Sequence, residues 1–251
     1  MSATTEPKKK EGGLGETAKV ILQAFLIALI IRTFLFQPFN IPSGSMKETL
    51  LVGDYLFVSK FSYGYSRFSL PLSPPLFDGR ILGSTPNRGD VVVFKLPRDE
   101  STDYIKRVIG LPGDQIQMIG GVLHINGEPV KREDAGYWMD DEGGGRVQRV
   151  KVWRETLPNG VSYNTLDLVD NGFYDNTPVY QVPPGHYFMM GDNRDNSTDS
   201  RVLSQVGYVP YENLIGRAQM IFFSVKEGEA AWQVWKWPWT VRWDRIFSFV
   251  R

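Results

Sequence analysis

Cysteine is absent from the chain and histidine is scarce, and both shortages restrict the chemistry that the chain can perform. Without cysteine there can be no disulfide, no thiol nucleophile, no Cys-ligated zinc and no iron–sulfur cluster. Two histidines, His124 and His186, cannot assemble a multi-histidine metal site. The 28 basic residues cancel the 28 acidic ones, so net charge gives no reason to expect nucleic acid. We therefore expect no metal, no cofactor and no nucleic-acid partner.

The composition is that of a folded protein, with 42% hydrophobic and 13% aromatic residues among 251. Beyond residue 36, short runs rich in β-branched and aromatic residues alternate with turn residues, which predicts a mainly β fold. Asn126-Gly127 predicts a hairpin with a type I′ turn, and 71–86 and 140–145 are predicted surface loops. The predicted strands are 55–58, 90–94, 104–109, 115–119, 122–125, 147–152, 187–190 and 218–225.

One segment near the N-terminus, 17–36, is apolar enough to cross a membrane. Fifteen of its twenty residues are apolar, and twenty helical residues span about 30 Å, the thickness of the hydrocarbon core. Lys19 and Arg32 lie near its ends, where their charges can reach the interface. A cleavable signal peptide is the alternative, but no small-x-small site directly follows Ile31. We expect a retained single-pass anchor.

Basic residues predict the orientation of this anchor. Lys8, Lys9, Lys10 and Lys19 precede most of the span, whereas fewer basic residues follow closely after it. The tail is therefore expected in the cytoplasm, and the rest of the chain on the extracytoplasmic, periplasmic face of the inner (plasma) membrane.

Three segments combine reactive side chains with turn or strand geometry. Ser43 and Ser45 flank a glycine after Pro42, an arrangement that can present one hydroxyl as nucleophile and another as donor to the same oxygen. Strand periodicity puts Tyr104 and Lys106 on one face, although an ordinary edge-strand lysine fits the same pattern. The polar segment 191–201 is a solvated loop, a calcium loop or part of a site; its arginines oppose a metal.

The ordered motifs around these segments resemble those of bacterial type I signal peptidases (leader peptidases). They are PSGSM and TLLVGD (42–46 and 49–54), RGDVVVF (88–94), DYIKRVIGLPGD (103–114) and GDNRDNSTDSR (191–201). The resemblance extends from about residue 36 to 209 and is thin between 120 and 182. It implies a signal-peptidase-like β domain behind a transmembrane helix, acting on exported preproteins at the lipid bilayer.

The resemblance also implies roles for individual residues. Ser45 is the expected nucleophile and Lys106 the general base. The Ser43 hydroxyl and the Ser45 amide are expected to form the oxyanion hole, and Ser197 to orient the lysine amine. Asp199 and Arg201 match a supporting ion pair, and Arg107 adjoins the base. The residues expected to line two shallow pockets for Ala-sized side chains, at the first and third positions before the cut, are Phe39, Ile41, Met46, Leu50, Tyr104 and Ile105.

A lysine can act as a base only when it is neutral. Its pKa must therefore fall by roughly 2 to 3 units from about 10.4, which burial among apolar side chains achieves. The chain departs from the family where Lys47-Glu48 stand in place of a residue followed by proline. This departure puts the rigidity of the pocket rim in doubt, and we expect Glu48 to point to solvent.

Other functions fit parts of the sequence. Self-cleaving SOS repressors use a related serine–lysine dyad, but they need a DNA-binding module. Penicillin-binding proteins need the motif Ser-x-x-Lys, which does not occur in this sequence. A hydrolase based on His186 and a non-catalytic β-domain that binds secreted chains are further alternatives. Asp192 and Asp195 are interpreted as loop-bracing residues.

Five of the seven tryptophans fall within the last twenty residues, interleaved with basic side chains. Core packing and a position at the membrane interface explain this composition equally well. The predicted organisation is a tail (1–16), an anchor (17–36), a catalytic core in two parts (37–114 and 178–226), a β-rich insert (115–177) and this Trp-rich segment (227–251).

Overall fold

The computed structural model describes residues 14–140 and 147–250, so the expectations for the lysines of the tail and for most of the loop at 140–145 lie outside the described residues. Helix α1 (Leu14–Phe34) comes first. The strands are β1 (Phe36–Asn40), β2 (Asp54–Ser59), β3 (Val91–Lys95), β4 (Asp103–Gly110), β5 (Gln115–Ile119), β6 (Val122–Ile125), β7 (Glu128–Pro129), β8 (Lys131–Asp140), β9 (Gln148–Thr156), β10 (Ser162–Asp167), β11 (Tyr180–Gln181), β12 (His186–Met190), β13 (Val209–Pro210) and β14 (Leu214–Ser224). A one-turn helix, α2 (Trp237–Thr240), lies near the end.

The apolar segment is a helix of 21 residues with a mean hydropathy of 1.9, long and apolar enough to cross a membrane. The predicted end at residue 36 is wrong, because Phe36 already belongs to β1, where it pairs with Ser59 of β2. Pro38 contributes to this early end, since a proline disfavours helical geometry in the residue before it. The anchor therefore leads into the sheet within two residues.

Antiparallel pairing joins seven strands into the main sheet, in the order β1-β2-β14-β3-β4-β12-β13. Two smaller sheets, β10-β9-β8 and β11-β5-β6-β7, are built largely from the segment between β4 and β12. The mainly β fold class is thus confirmed. The predicted type I′ turn is also present, because Asn126 and Gly127 both have positive φ, 56° and 85°.

Two apolar clusters pack on the part of the main sheet that carries the site. One contains Ile41, Met46, Leu50 and Ile105, and so joins the segment after β1 to β4. A second joins Ile116 and other side chains of the smaller sheets to Phe188 of β12. The segment 115–177 therefore shares a hydrophobic core with the main sheet.

The tryptophans at the end of the chain are mostly on the surface. Trp232, Trp235, Trp239 and Trp243 are each more than half exposed, so core packing does not account for them. Trp237 differs, because its ring packs on Phe223 with 5.0 Å between ring centroids.

Candidate active site

Ser45 lies in a short 3₁₀ turn, Gly44–Met46, which follows β1. The turn closes through a hydrogen bond from the Lys47 amide to the Gly44 carbonyl, 3.0 Å long. Asn193 holds it from the other side, because its amide donates to the Ser45 carbonyl (3.1 Å) and its side chain to the Gly44 carbonyl (3.0 Å). The backbone around the Ser45 hydroxyl is thereby fixed.

Lys106 reaches this hydroxyl from β4. Its Nζ lies 2.6 Å from Ser45 Oγ and 2.9 Å from the Ile105 carbonyl oxygen. The residue is only 3% exposed, and the Tyr104 ring centroid lies 5.3 Å from the same nitrogen. The structure therefore brings together the two residues on which the expected dyad depends.

Burial is the main reason why the Lys106 pKa falls to about 8, since it disfavours the charged amine. The carboxylates of Asp199 and Asp192 act in the opposite direction, and the Arg201 guanidinium adds to the lowering. A lysine in this environment releases its proton far more readily than an exposed one.

Both nearby carboxylates are bound by buried arginines. Arg201 Nη2 lies 2.9 Å from Asp199 Oδ2, and Arg107 Nη2 lies 2.6 Å from Asp192 Oδ2. Thr49 also donates to Asp192 Oδ2, at 2.5 Å. These pairs offset much of the negative field that would otherwise hold the proton on Lys106. Asp192 thus braces the site.

The two supporting serines differ from the expectation in one respect. Ser43 Oγ lies 3.5 Å from Ser45 Oγ, beside the proposed reaction centre. Ser197, however, donates to Asp199 Oδ2 at 2.7 Å, and within the described ranges no hydrogen bond joins it to Lys106. The Ser197 proton is thus directed to a carboxylate, a strong acceptor, and the expected role of Ser197 in orienting the lysine amine stays a prediction.

Gly191 makes the close approach of these groups possible. A Cβ at this position would lie 2.2 Å from Ser197 Oγ and 2.6 Å from the Ser45 carbonyl oxygen. Any side chain here would push apart the polar loop and the turn that carries Ser45. Sequence reasoning placed Gly191 in a motif without this role, and also missed Asn193.

A cavity of about 390 Å³ opens beside Ser45. Tyr104 and Ile105 line it, as do Asn196 and Thr198, which sequence reasoning did not single out. Met46 and Leu50 do not line this cavity but are fully buried in the same cluster as Ile105, so their expected contact with substrate stays a prediction. Ile41 belongs to that cluster and Phe39 packs against it; neither lines the cavity, and their expected contact with substrate also stays a prediction.

Lys47 and Glu48 directly follow the turn that carries Ser45, and they differ in their surroundings. Lys47 is buried, with its Nζ 3.0 Å from Asp140 and 3.7 Å from Glu227. Glu48 is half-buried and lines a separate cavity with Arg245, so it does not point fully to solvent as expected. It is not among the groups that shift the Lys106 pKa.

The histidines and Asp195 lie apart from this chemistry. The His186 and His124 rings contact the carbonyls of Pro184 and Val122, and neither lines the cavity, so the histidine-based alternative is wrong. Asp195 accepts the amide protons of Leu168 and Val169 and braces its loop.

Comparisons with known proteins show the family to which the chain belongs. A family model described as "Signal peptidase, peptidase S26" matches residues 14–223. The chain is 50% identical over 208 residues to signal peptidase I of Rickettsia conorii, a match that covers 80% of this chain and 76% of the relative. It is 46% identical over 226 residues to the signal peptidase I of Rickettsia typhi, covering 84% and 83%.

A solved signal peptidase I from Enterococcus faecalis shares 26% identity with the chain; the match covers 53% of this chain and 97% of the other, with a TM-score of 0.32. That score is too low for a comparison of folds, whereas the family model spans most of the chain. The sequence match and the relatives lead to one conclusion: the chain is a member of the S26 signal peptidase family.

Proposed function

We propose that the chain removes N-terminal signal peptides from exported preproteins by a serine–lysine mechanism, with Ser45 as nucleophile and Lys106 as general base. Family membership establishes the peptidase class and excludes a purely binding β-domain. The observation that carries the residue roles is the 2.6 Å contact between a buried amine and a buried hydroxyl.

The proposed reaction begins with neutral Lys106. Its amine takes the Ser45 proton as Oγ attacks the carbonyl carbon of the scissile bond, which gives a tetrahedral oxyanion. The Ser45 amide and the Ser43 hydroxyl donate to that oxyanion. The lysine then passes the proton to the departing amine, leaving an acyl-Ser45, and a water deprotonated by Lys106 hydrolyses this ester.

The substrate is proposed to bind as an added strand beside β4. β3 pairs with β4 along Asp103–Arg107 on one side, whereas β12 covers the other side only from Arg107 onward. In the described part of the chain no strand pairs with the second edge of residues 103–106, which lies next to the cavity at Ser45. An extended peptide there would project alternate side chains into the cavity. Its modest size favours small residues at the first and third positions before the cut.

The location is proposed from the anchor. Helix α1 would cross the inner membrane once with the N-terminal tail in the cytoplasm, because more basic residues precede than follow it. The catalytic domain would then lie on the outer face of this membrane, where signal peptides emerge.

Processing of a model precursor in detergent tests the proposal. We expect the wild type to release the mature product and Ser45→Ala and Lys106→Ala to lose cleavage, each by at least about 10³-fold. Lys47→Ala is the matched control and should retain cleavage. It also removes a buried lysine near the turn that carries Ser45, but the amine of Lys47 faces Asp140. Cleavage retained by folded Lys106→Ala would overturn the assignment of the base.

A further inference from the structure

A polar cavity of about 340 Å³ lies where α1 meets the sheet. The last turn of α1 lines it through Arg32 and Thr33, and Gln37 of β1 and Lys60, just after β2, face it as well. It is distinct from the cavity at Ser45, although Asp103 borders both. Its position at the end of an apolar helix puts it at the depth of lipid headgroups.

The charges around this cavity do not cancel. Of the two acidic residues in its lining, Glu100 pairs with Arg67 at 2.7 Å and Asp103 with Lys95 at 2.8 Å. Lys60 and Arg32 are left, and among residues 14–140 and 147–250 neither has a carboxylate oxygen within 4.0 Å. The cavity thus presents two positive charges without an ion pair among the described residues, although the Asp103 carboxylate acts on Lys60 at longer range.

Lys60 is the more unusual of the two, because it is only 2% exposed and, among the described residues, its amine donates to one acceptor, the Ser69 carbonyl at 2.6 Å. Its pKa falls to about 8, mainly through burial and next through the nearby charge of Arg32, while Asp103 acts in the opposite direction. Two cations that repel each other across a cavity create a position where an anion is favourable to both.

An apolar groove adjoins this cavity. It has a volume of about 880 Å³, and aromatic rings form much of its wall, including Phe57 and Phe61 of the β2 region and Phe249. Ala28 and Ile31 of α1 form the rest of the side that faces the helix. Arg32 lines both the groove and the polar cavity, so the two meet at its side chain. A ligand with one anionic group and a long apolar part matches the polar cavity together with the apolar groove.

We propose that this place binds an anionic phospholipid, with its phosphate group between Arg32 and Lys60 and its acyl chains along the groove. Guanidinium and ammonium groups are the usual partners of phosphate, and basic pockets beside membrane helices suit anionic headgroups. The apolar groove distinguishes the lipid from free phosphate, which would use only the polar part.

Binding to the full chain in a neutral detergent tests this proposal. The probes are dihexanoyl phosphatidylglycerol, dihexanoyl phosphatidylcholine and inorganic phosphate, each titrated while thermal unfolding is followed. We expect the phosphatidylglycerol to raise the unfolding temperature at the lowest concentration. Arg32→Gln should weaken its apparent affinity by about tenfold or more, as expected for one lost charge-assisted contact. Arg98→Gln changes an exposed arginine that does not line the cavity, so it is the matched control and should leave the affinity unchanged.

Lys60→Met is a second variant and should weaken the binding of phosphatidylglycerol by a similar factor. In the wild type, the affinity for this lipid should fall as the pH rises through the Lys60 pKa. Arg32 is exposed, so Arg32→Gln is expected to fold. The test therefore gives a result even if Lys60→Met, which changes a buried residue, does not fold. Equal affinity in Arg32→Gln and Arg98→Gln would overturn the proposal. So would inorganic phosphate acting at the same concentration as the lipid, or displacement of the lipid by an apolar signal-type peptide on Ser45→Ala.

Discussion

Lys106 is placed where catalysis and stability oppose each other. Its burial lowers the pKa to about 8, and this burial is what makes the amine available as a base. The same burial disfavours the charged amine that exists at neutral pH, so the residue weakens the fold while it serves the proposed reaction.

The rate should therefore depend on pH through Lys106. Since the base must be neutral, kcat/KM should rise about tenfold per pH unit below pH 8 and level off above it. Steady-state cleavage of a peptide substrate from pH 6 to 10 measures this. A limb centred near 6.5 would instead indicate a histidine, and would contradict the proposal.

Replacing Lys106 should stabilise the protein. We expect Lys106→Met to abolish cleavage and to raise the free energy of unfolding at pH 7 by about 2 to 3 kcal/mol, less whatever the lost hydrogen bonds contributed. The unfolded lysine holds its proton up to about pH 10.4, so wild-type stability should rise with pH between 8 and that value, and the advantage of the variant should vanish there.

Lys47→Met is the comparison for this measurement. Lys47 is also buried, but its amine pairs with the partly exposed Asp140, so the substitution should destabilise the protein by about 1 to 3 kcal/mol, between the values for exposed and buried pairs. Denaturant unfolding of the two variants in the same detergent gives both values. Destabilisation of Lys106→Met beyond that of Lys47→Met would show that burial of Lys106 carries no penalty.

At the scale of elements, the turn after Ser45 has a defined geometry. The Thr49 amide donates to the Met46 carbonyl at 3.1 Å, Lys47 has φ −51° and ψ 150°, and Glu48 has φ 80°. These angles are those of a type II turn, whose third position favours glycine. A proline cannot adopt a positive φ, so this backbone path differs from one with proline at position 48.

Two substitutions at Glu48 should therefore change the stability of the protein in opposite directions or by clearly different amounts. We expect Glu48→Gly to be neutral or to stabilise by up to about 1 kcal/mol, because it relieves the left-handed conformation, and Glu48→Pro to destabilise by about 3 kcal/mol. Thermal unfolding of both variants measures this order. Equal stabilities would show that the turn is not of this type.

Sequence patterns predicted elements well where one face of a strand is buried. The bounds of β5 and β6 are as predicted, because the turn residues Gly120-Gly121 and Asn126-Gly127 delimit them and burial alternates along both strands. β8 was missed, since most of Lys131–Asp140 is exposed and alternation is absent. For the site, the motifs brought Ser45 and Lys106 to notice, whereas the burial of Met46 and Leu50 depends on packing between distant segments that no local pattern reveals.

At the scale of the whole molecule, the exposed tryptophans predict contact with lipid. Replacing Trp232, Trp235, Trp239 and Trp243 by phenylalanine should remove most of the fluorescence that brominated lipids quench in the reconstituted protein, because these four are exposed and amphipathic. Trp138, Trp153 and Trp237 remain as internal controls and should be quenched little. Undiminished quenching in the variant would assign the lipid contact to other parts of the chain.

The direct passage from α1 into β1 has a mechanical consequence. The Lys60 amide bonds the Leu35 carbonyl, and β1 pairs with β2 along its whole length, so no slack separates the anchor from the turn that bears Ser45. Eleven residues join Phe34 to Ser45, which limits the height of the hydroxyl above the bilayer to about 36 Å. The Ser45 hydroxyl is thus held at a fixed height above the membrane surface, and a preprotein must bring its scissile bond to that height. The thickness of the membrane therefore contributes to the selection of cleavage sites.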